Sequence, residues 1–517
     1  MRFPSPVVDI GVPSDHDRND DNHMTILGMG AKAQYPWKTG AFFAGTMGYD
    51  MSKTSHPSRL TCFKAYDIRG QIGVDLDASV VRDIALAFVQ VMTPKTVVLG
   101  HDCRHTSPEF HKALSDGLVS LGVDVIDIGL AGTEEVYFAT DHYRACGGIK
   151  VTASHNPADY NGMKLVGPGS RPLTPQEFDE VAMLASTRPS AKAKVSTPGT
   201  VSKQDPRPAY AAHVINLVNK AEIGNLKLVV NAGNGVAGPA FDAILDALGD
   251  AANSLDVVRI NHTPDSRFPK GIPNPLLVEN RQETADAVRR LKADLGIAWD
   301  GDFDRCFFFD HTGAFVEGEY VVGLLASAFL TDTPGETIVH DPRVIWSTTH
   351  QIKRHGGTAA TSKTGHAHVK QAMRDTGAIY GGEMSAHHYF RDFMSCDSGM
   401  IPWLKLIEYL GRTEQTLAGL VAEMKADFPS SGERNFVVSD AKACMKKVFT
   451  AYEATANNIN RLDGLSMSFD TWRMNLRMSS TEPLLRLNVE TNKDGPAIET
   501  LVSEIVQLIE KNADTTT

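Results

Sequence analysis

The segment LKLVVNAGNGVAGPAFDAILDAL, residues 226–248, reads as a strand, a glycine-rich turn and a helix in succession. Leu226 to Val230 is a short apolar run rich in strand formers. Asn231-Ala-Gly-Asn-Gly235 interrupts it with turn residues, and Pro239 to Leu248 resumes with helical spacing. The same pattern recurs on both sides. Lys95 to Gly100 predicts a strand, Glu109 to Leu121 a helix and Val123 to Ile128 the next strand. Asp294 to Trp299, Cys306 to Phe309 and Gly335 to His340 predict further strands. Strands alternating with helices make the chain α/β, with mainly parallel sheets covered by helices. Ligands of such sheets sit in loops beyond strand ends, and the polar motifs of this chain fall there.

At 517 residues the chain exceeds a single core. Residues 1–58 hold polar clusters and little periodicity and are expected to be a disordered extension. The remainder is expected to divide into segments 59–203, 204–312, 313–428 and 429–517, with Ser186 to Pro208 as a linker. The last segment reads as a smaller α+β domain. In it Asn475 to Met478 and Leu484 to Val489 are strand arms around a polar loop, and Ala497 to Lys511 is a closing helix.

A net charge of −11 argues against a nucleic-acid coat or an anionic-membrane binder. Anionic substrates would need cations gathered in one cleft. The six cysteines are scattered, with no C-x-x-C pair, which suits reduced thiols in a cytoplasmic protein. No apolar run reaches the ~18 residues of a membrane span, and the N-terminus lacks a secretory pattern.

Four loops carry chemistry. In Thr152-Ala-Ser-His-Asn-Pro157, Ser154 is a candidate nucleophile, His155 could orient or deprotonate it, and Lys164 could neutralise a phosphate. A hydroxyl turn ended by proline is the competing reading. In Asp300-Gly-Asp-Phe-Asp-Arg305, carboxylates alternate straight after a strand, a hard-oxygen pattern suited to Mg²⁺. An EF-hand fails, because Arg305 stands at the sixth position and His311 at the twelfth. In Gly381 to Phe390, Glu383 and Ser385 would face the same way if extended and would suit vicinal hydroxyls; an ordinary polar loop is the alternative. Zinc at His387-His388 lacks further ligands at matched spacing. In Arg477-Met-Ser-Ser-Thr-Glu-Pro483, an arginine and three hydroxyls can wrap a phosphate, or form a serine-rich hairpin turn. Tyr66, Arg69, Arg104, Arg343 and the run Lys363-Thr-Gly-His366 supply further polar groups.

These loops, in this order and spacing, resemble the α-D-phosphohexomutase superfamily over about Leu60 to Glu510. The runs Thr61 to Gly70, Gly132 to Thr140 and Gly381 to Asp392 are most similar to the bacterial phosphomannomutase branch that feeds GDP-mannose synthesis. The resemblance implies four domains around a central cleft. Three would share a mixed α/β sandwich topology, followed by the smaller C-terminal α+β domain. They would carry, in order, the phosphoserine, metal, sugar and phosphate loops. It further implies that Ser154 is phosphorylated and shares a Mg²⁺ with Asp300, Asp302 and Asp304. Glu383 and Ser385 would bind sugar hydroxyls, while Arg477, Ser479, Ser480 and Thr481 would bind the non-reacting phosphate. Lys164, His366 and His155 are the implied acid/base candidates. Arg305, Arg343 and His387 would line the substrate path, with Tyr66 and Arg69 near the phosphoserine. The implied partners are small-molecule sugar phosphates, with a hexose 1,6-bisphosphate as activator, no nucleic acid or membrane, and a monomer or weak dimer. Two departures stand out: Ser480 replaces a common Asn, and residues 1–58 have no family counterpart. Phosphoglucomutases, phosphoglucosamine mutases and dual-specificity mutases remain open. So do a haloacid-dehalogenase-type phosphatase using Asp300 as nucleophile and Asp302 as acid/base, and a non-catalytic binder.

Overall fold

The computed structural model describes residues 59–189, 197–478 and 484–510. The expectation for residues 1–58, and Ser479, Ser480 and Thr481, lie outside these. The first sheet holds β1 (Ile68–Gln71), β2 (Thr96–His101), β3 (Asp124–Leu130), β4 (Gly147–Val151), β5 (Tyr160–Val166) and β6 (Val201–Lys203). The second holds β7 (Leu226–Asn231), β8 (Leu255–Ile260), β9 (Leu295–Trp299), β10 (Cys306–Asp310) and β11 (Phe315–Val316). The third holds β12 (Thr337–His340), β13 (Thr358–Thr361), β14 (Tyr380–Gly382), β15 (His388–Phe390) and β16 (Cys396–Asp397). The fourth holds β17 (Ser430–Val437), β18 (Asn458–Asn460), β19 (Leu465–Ser468), β20 (Trp472–Met478) and β21 (Leu484–Thr491).

One topology is used three times. β2 lies between β3 and β4, parallel to both, and β5 returns antiparallel on β4. β7, β8, β9 and β10 repeat this arrangement, as do β12, β13, β14 and β15. The serine, aspartate and glutamate motifs therefore occupy one equivalent loop in three copies, where the third parallel strand turns into its antiparallel neighbour. The fourth sheet is antiparallel throughout. The expected linker is partly built into the fold: Val201–Lys203 pairs parallel with β3 and extends the first sheet.

Local signals start and stop the helices. Asp77 accepts from the amides of Ser79 and Val80 to open helix Ala78–Met92, which closes on Thr93 in the left-handed region. Helix Gly318–Asp332 is buried on nearly every face, consistent with its apolar sequence. The second and third domains share one core, in which Phe241, Trp299, Phe303 and Trp403 pack together; it reaches Tyr137 and Phe138 of the first. The fourth domain has a separate core around Val448, Met474, Leu487 and Ile505. It joins the third through buried polar contacts. Arg473 donates to the carbonyls of Arg343 and Pro342 at 2.8 and 2.9 Å. The Glu490 carboxylate accepts from the amides of Ile345 and Trp346, both at 2.8 Å, at the start of helix Trp346–Arg354. Among the described residues, no helix is long and apolar enough to cross a membrane.

Candidate active site

Ser154 sits in the β4–β5 loop with φ +48° and is 1% exposed. Arg104, also buried, fixes that loop by donating to four carbonyls: Ser154 at 2.9 Å, Asn156 at 2.5 Å, Pro157 at 2.7 Å and Tyr160 at 3.0 Å. The serine hydroxyl lies 2.6 Å from Asp300 Oδ2 and 3.0 Å from His155 Nδ1. Gly301 makes this approach possible, since a Cβ there would fall 2.6 Å from the Ser154 carbonyl oxygen.

Asp300, Asp302 and Asp304 are all buried. Thr133 donates to Asp302 through its hydroxyl at 2.7 Å, and the N-terminus of helix Thr133–His142 faces the same loop. Lys164 on β5 reaches Asp302 at 3.0 Å and also pairs with Asp304. Burial and the charges of Asp304 and Asp302 push the Asp300 carboxyl well above the usual range. Burial also pushes Asp304 up, but Lys164, His387 and Arg305 outweigh it and hold that carboxyl well below.

The aspartates pass a test of fit for a divalent cation. One oxygen of each carboxylate, Oδ1 in all three, is buried with no hydrogen-bond partner among the described residues. The cluster's ligand atoms lie within 4.8 Å of one another. Hard oxygen donors with unsatisfied lone pairs match Mg²⁺.

The sugar-loop motif is a turn and not an extended run, so the same-face argument for Glu383 and Ser385 does not hold. Ala386 adopts φ +67°, and its amide bonds back to the Glu383 carbonyl at 3.0 Å. Glu383 is nevertheless buried beside the other loops. Its carboxylate accepts from the Gly365 amide at 2.7 Å and the Tyr389 hydroxyl at 2.6 Å. Arg305 Nε lies 3.1 Å from His387 Nε2, and His387 Nδ1 lies 3.3 Å from Glu383 Oε2. Ser385 Oγ lies 3.3 Å from the same Nδ1. Burial pushes the Glu383 carboxyl up, but His387 and Arg343 outweigh it and hold it well below the usual range.

Arg69, Tyr66, His366 and His155 lie near this centre. Arg69 pairs with Asp67 and donates to Asn156 at 2.9 Å. Tyr66 is edge-on to His366, their ring centroids 5.8 Å apart. Burial, then the Lys370 charge, pushes the His366 imidazole down to about 4. Burial and the charges of Arg305 and Arg69 hold His155 well below its usual value. Arg343 and Arg477 lie apart from the aspartates, at the junction of the third and fourth sheets, where Glu433 meets both. The sequence reading missed Thr133 and Glu433. Thr133 lies inside the run Gly132 to Thr140, and nothing in that run signals that its hydroxyl reaches Asp302.

Family models described as phosphoglucomutase/phosphomannomutase, alpha/beta/alpha domains I, II and III, match residues 61–191, 208–313 and 317–428. A phosphomannomutase of Salmonella montevideo is 50% identical over 453 residues, covering 87% of this chain and 99% of that protein. A protein named phosphohexose mutases from Xanthomonas campestris pv. campestris is 50% identical over 450 residues, with the same coverage. A crystal structure of a phosphoglucomutase/phosphomannomutase family protein from Burkholderia thailandensis superposes with a TM-score of 0.75 at 30% identity, covering 88% of this chain and 98% of that one. Fold and likenesses define the class as phosphohexomutases, intramolecular phosphotransferases grouped with the isomerases. The chain belongs to the phosphoglucomutase/phosphomannomutase family.

Proposed function

We propose that this enzyme interconverts mannose 6-phosphate and mannose 1-phosphate through a phosphoserine at Ser154 and a 1,6-bisphosphate intermediate. The observation that carries the reading is the Ser154 hydroxyl, 2.6 Å from Asp300 in a loop whose three carboxylates keep unpartnered oxygens. A bound Mg²⁺, held by Asp300, Asp302 and Asp304, supplies charge to offset the phosphoserine, which carries about −1.5 to −2.

The phosphoryl group passes from Ser154 Oγ to the free 1-hydroxyl of mannose 6-phosphate. That hydroxyl loses its proton, and Ser154 Oγ gains one as the bond to phosphorus breaks. His366, pushed down to about 4, is neutral at pH 7 and can take the sugar proton. Against its burial, Lys164 is kept charged by Asp302 and Asp304 and serves as phosphate partner. His155 sits within reach of Ser154 for the reverse transfer. Glu383 and Ser385 hold sugar hydroxyls, and Arg305 and His387 line the path. Arg343 and Arg477, with Ser479, Ser480 and Thr481, grip the phosphate that is not reacting. The bisphosphate turns over and returns its other phosphoryl to Ser154. A hexose 1,6-bisphosphate recharges dephosphorylated enzyme, acting as activator. The mannose preference is supported by the names of the half-identical relatives.

The test is Ser154→Ala, assayed with mannose and glucose 1-phosphates. Turnover should fall by at least about 10⁴-fold, and wild-type enzyme should favour mannose 1-phosphate. Near-normal isomerisation by the variant would defeat the proposal. The phosphatase reading requires an acyl phosphate on Asp300, which hydroxylamine cleaves and a phosphoserine survives.

A further inference from the structure

Glu433 has no role in the scheme above, yet three guanidinium groups converge on it. Arg477 on β20 donates to its Oε2 at 2.9 Å, and Arg486 on β21 donates to its Oε1 at 3.1 Å. Arg343, from the third domain, lies 3.8 Å from Oε2. Arg477 and Arg486 are direct cross-strand partners, so their like charges repel without an intervening anion. The backbone is shaped to supply one. β17 breaks register on β21 between Ser430 and Glu433, with Gly432 at φ +61°, and this bulge presents the glutamate to both arginines. A second observation points to a ligand: Nε of Arg343 and of Arg477 are buried donors with no hydrogen-bond partner among the described residues.

We propose that Glu433 is a positioning residue that competes with the substrate's phosphate for Arg343, Arg477 and Arg486. The inference rests on the reading of this junction as the phosphate grip. Three guanidiniums held by the carboxylates of Glu433 and Asp341 offer planar donor forks that suit a phosphate. The glutamate holds the planar forks in place before phosphate arrives and lowers the affinity with which phosphate is retained. Weak retention matters here, because the bisphosphate has to release one phosphate and present the other within each cycle. Without the carboxylate, phosphate would bind more tightly and leave more slowly.

The test compares Glu433→Gln and Glu433→Asp with wild type, using inorganic phosphate as competitive inhibitor and a hexose phosphate as substrate. Glu433→Gln keeps the shape and removes the charge. Its inhibition constant for phosphate should fall about tenfold, with KM and kcat both lowered. Glu433→Asp should restore values within about threefold of wild type. A merely structural role would instead raise KM and weaken phosphate inhibition; that result, or no change, overturns the inference. Arg477→Lys separates the two readings. If it leaves phosphate inhibition intact, the phosphate-grip assignment fails. If it weakens inhibition while Glu433→Gln does not strengthen it, only the competition fails.

Discussion

Arg104 and Arg343 stand at the same point in two copies of one topology. His101-Asp102-Cys103-Arg104 starts on the last residue of β2, and His340-Asp341-Pro342-Arg343 on the last residue of β12. In both, the histidine Nδ1 lies 2.8 Å from the aspartate's backbone oxygen, and that carboxylate accepts the arginine amide at 2.9 Å. The guanidinium groups then diverge. Arg104 donates to four carbonyls of the serine loop. Arg343 pairs with Asp341 at 2.6 Å and turns toward Glu433 of the fourth domain. Backbone acceptors cannot leave, so Arg104 fixes a loop. Carboxylate acceptors sit on side chains that can move, so the same position in the third domain is less firmly committed, as its proposed phosphate role requires.

The largest expected break comes at Arg104. Arg104→Ala removes four backbone bonds and strands the buried Asp102. Stability should fall by about 3–5 kcal/mol and kcat by about 10³-fold, read by urea unfolding and steady-state assay. Arg343→Lys keeps the charge but loses the planar fork. KM for the sugar phosphate should rise about tenfold with kcat nearly unchanged; a loss confined to kcat would erase the contrast with Arg104.

The smallest effect concerns the paired histidines. Burial holds both His101 and His340 below the ordinary value. The unfolded chain therefore binds their protons first as pH falls below about 6.5. Their contribution to stability is complete above that pH and is lost on acidification toward the folded values. His340 is fully enclosed, whereas His101 is partly exposed. His340→Gln should flatten the slope of stability against pH, by up to about 1.4 kcal/mol per unit, and His101→Gln should flatten it less. Urea midpoints between pH 5 and 7 measure both.

Much of this was legible in the sequence. Strand–helix alternation gave the α/β class, and alternate carboxylates after a strand gave the aspartate cluster. Ser154 alone could be a nucleophile or a hydroxyl turn, and only the companion loops and their resemblance to a family favoured the nucleophile. The threefold repeat came only from the family resemblance, since strand pairing order leaves no mark on residue pattern. Arg104's task was hidden because its acceptors are carbonyls, which every residue has. Glu433 lies in the polar run Ser430-Ser-Gly-Glu-Arg434, which reads as a surface turn until the bulge aims it at the arginines. The Glu383 to His387 stretch misled for a related reason: alanine does not announce the left-handed turn that Ala386 makes.

The separate core of the fourth domain has a mechanical consequence. The second and third domains share packed side chains, so two of the loops stand on one stiff block whose spacing resists thermal strain. The fourth is fastened by Arg473 and Glu490, through hydrogen bonds that can break and re-form without opening a void. The described residues thus join one stiff block to one compliant domain. The compliant part carries Arg477, and under the proposed mechanism that compliance would let one arginine meet two chemically different ends of a sugar in turn.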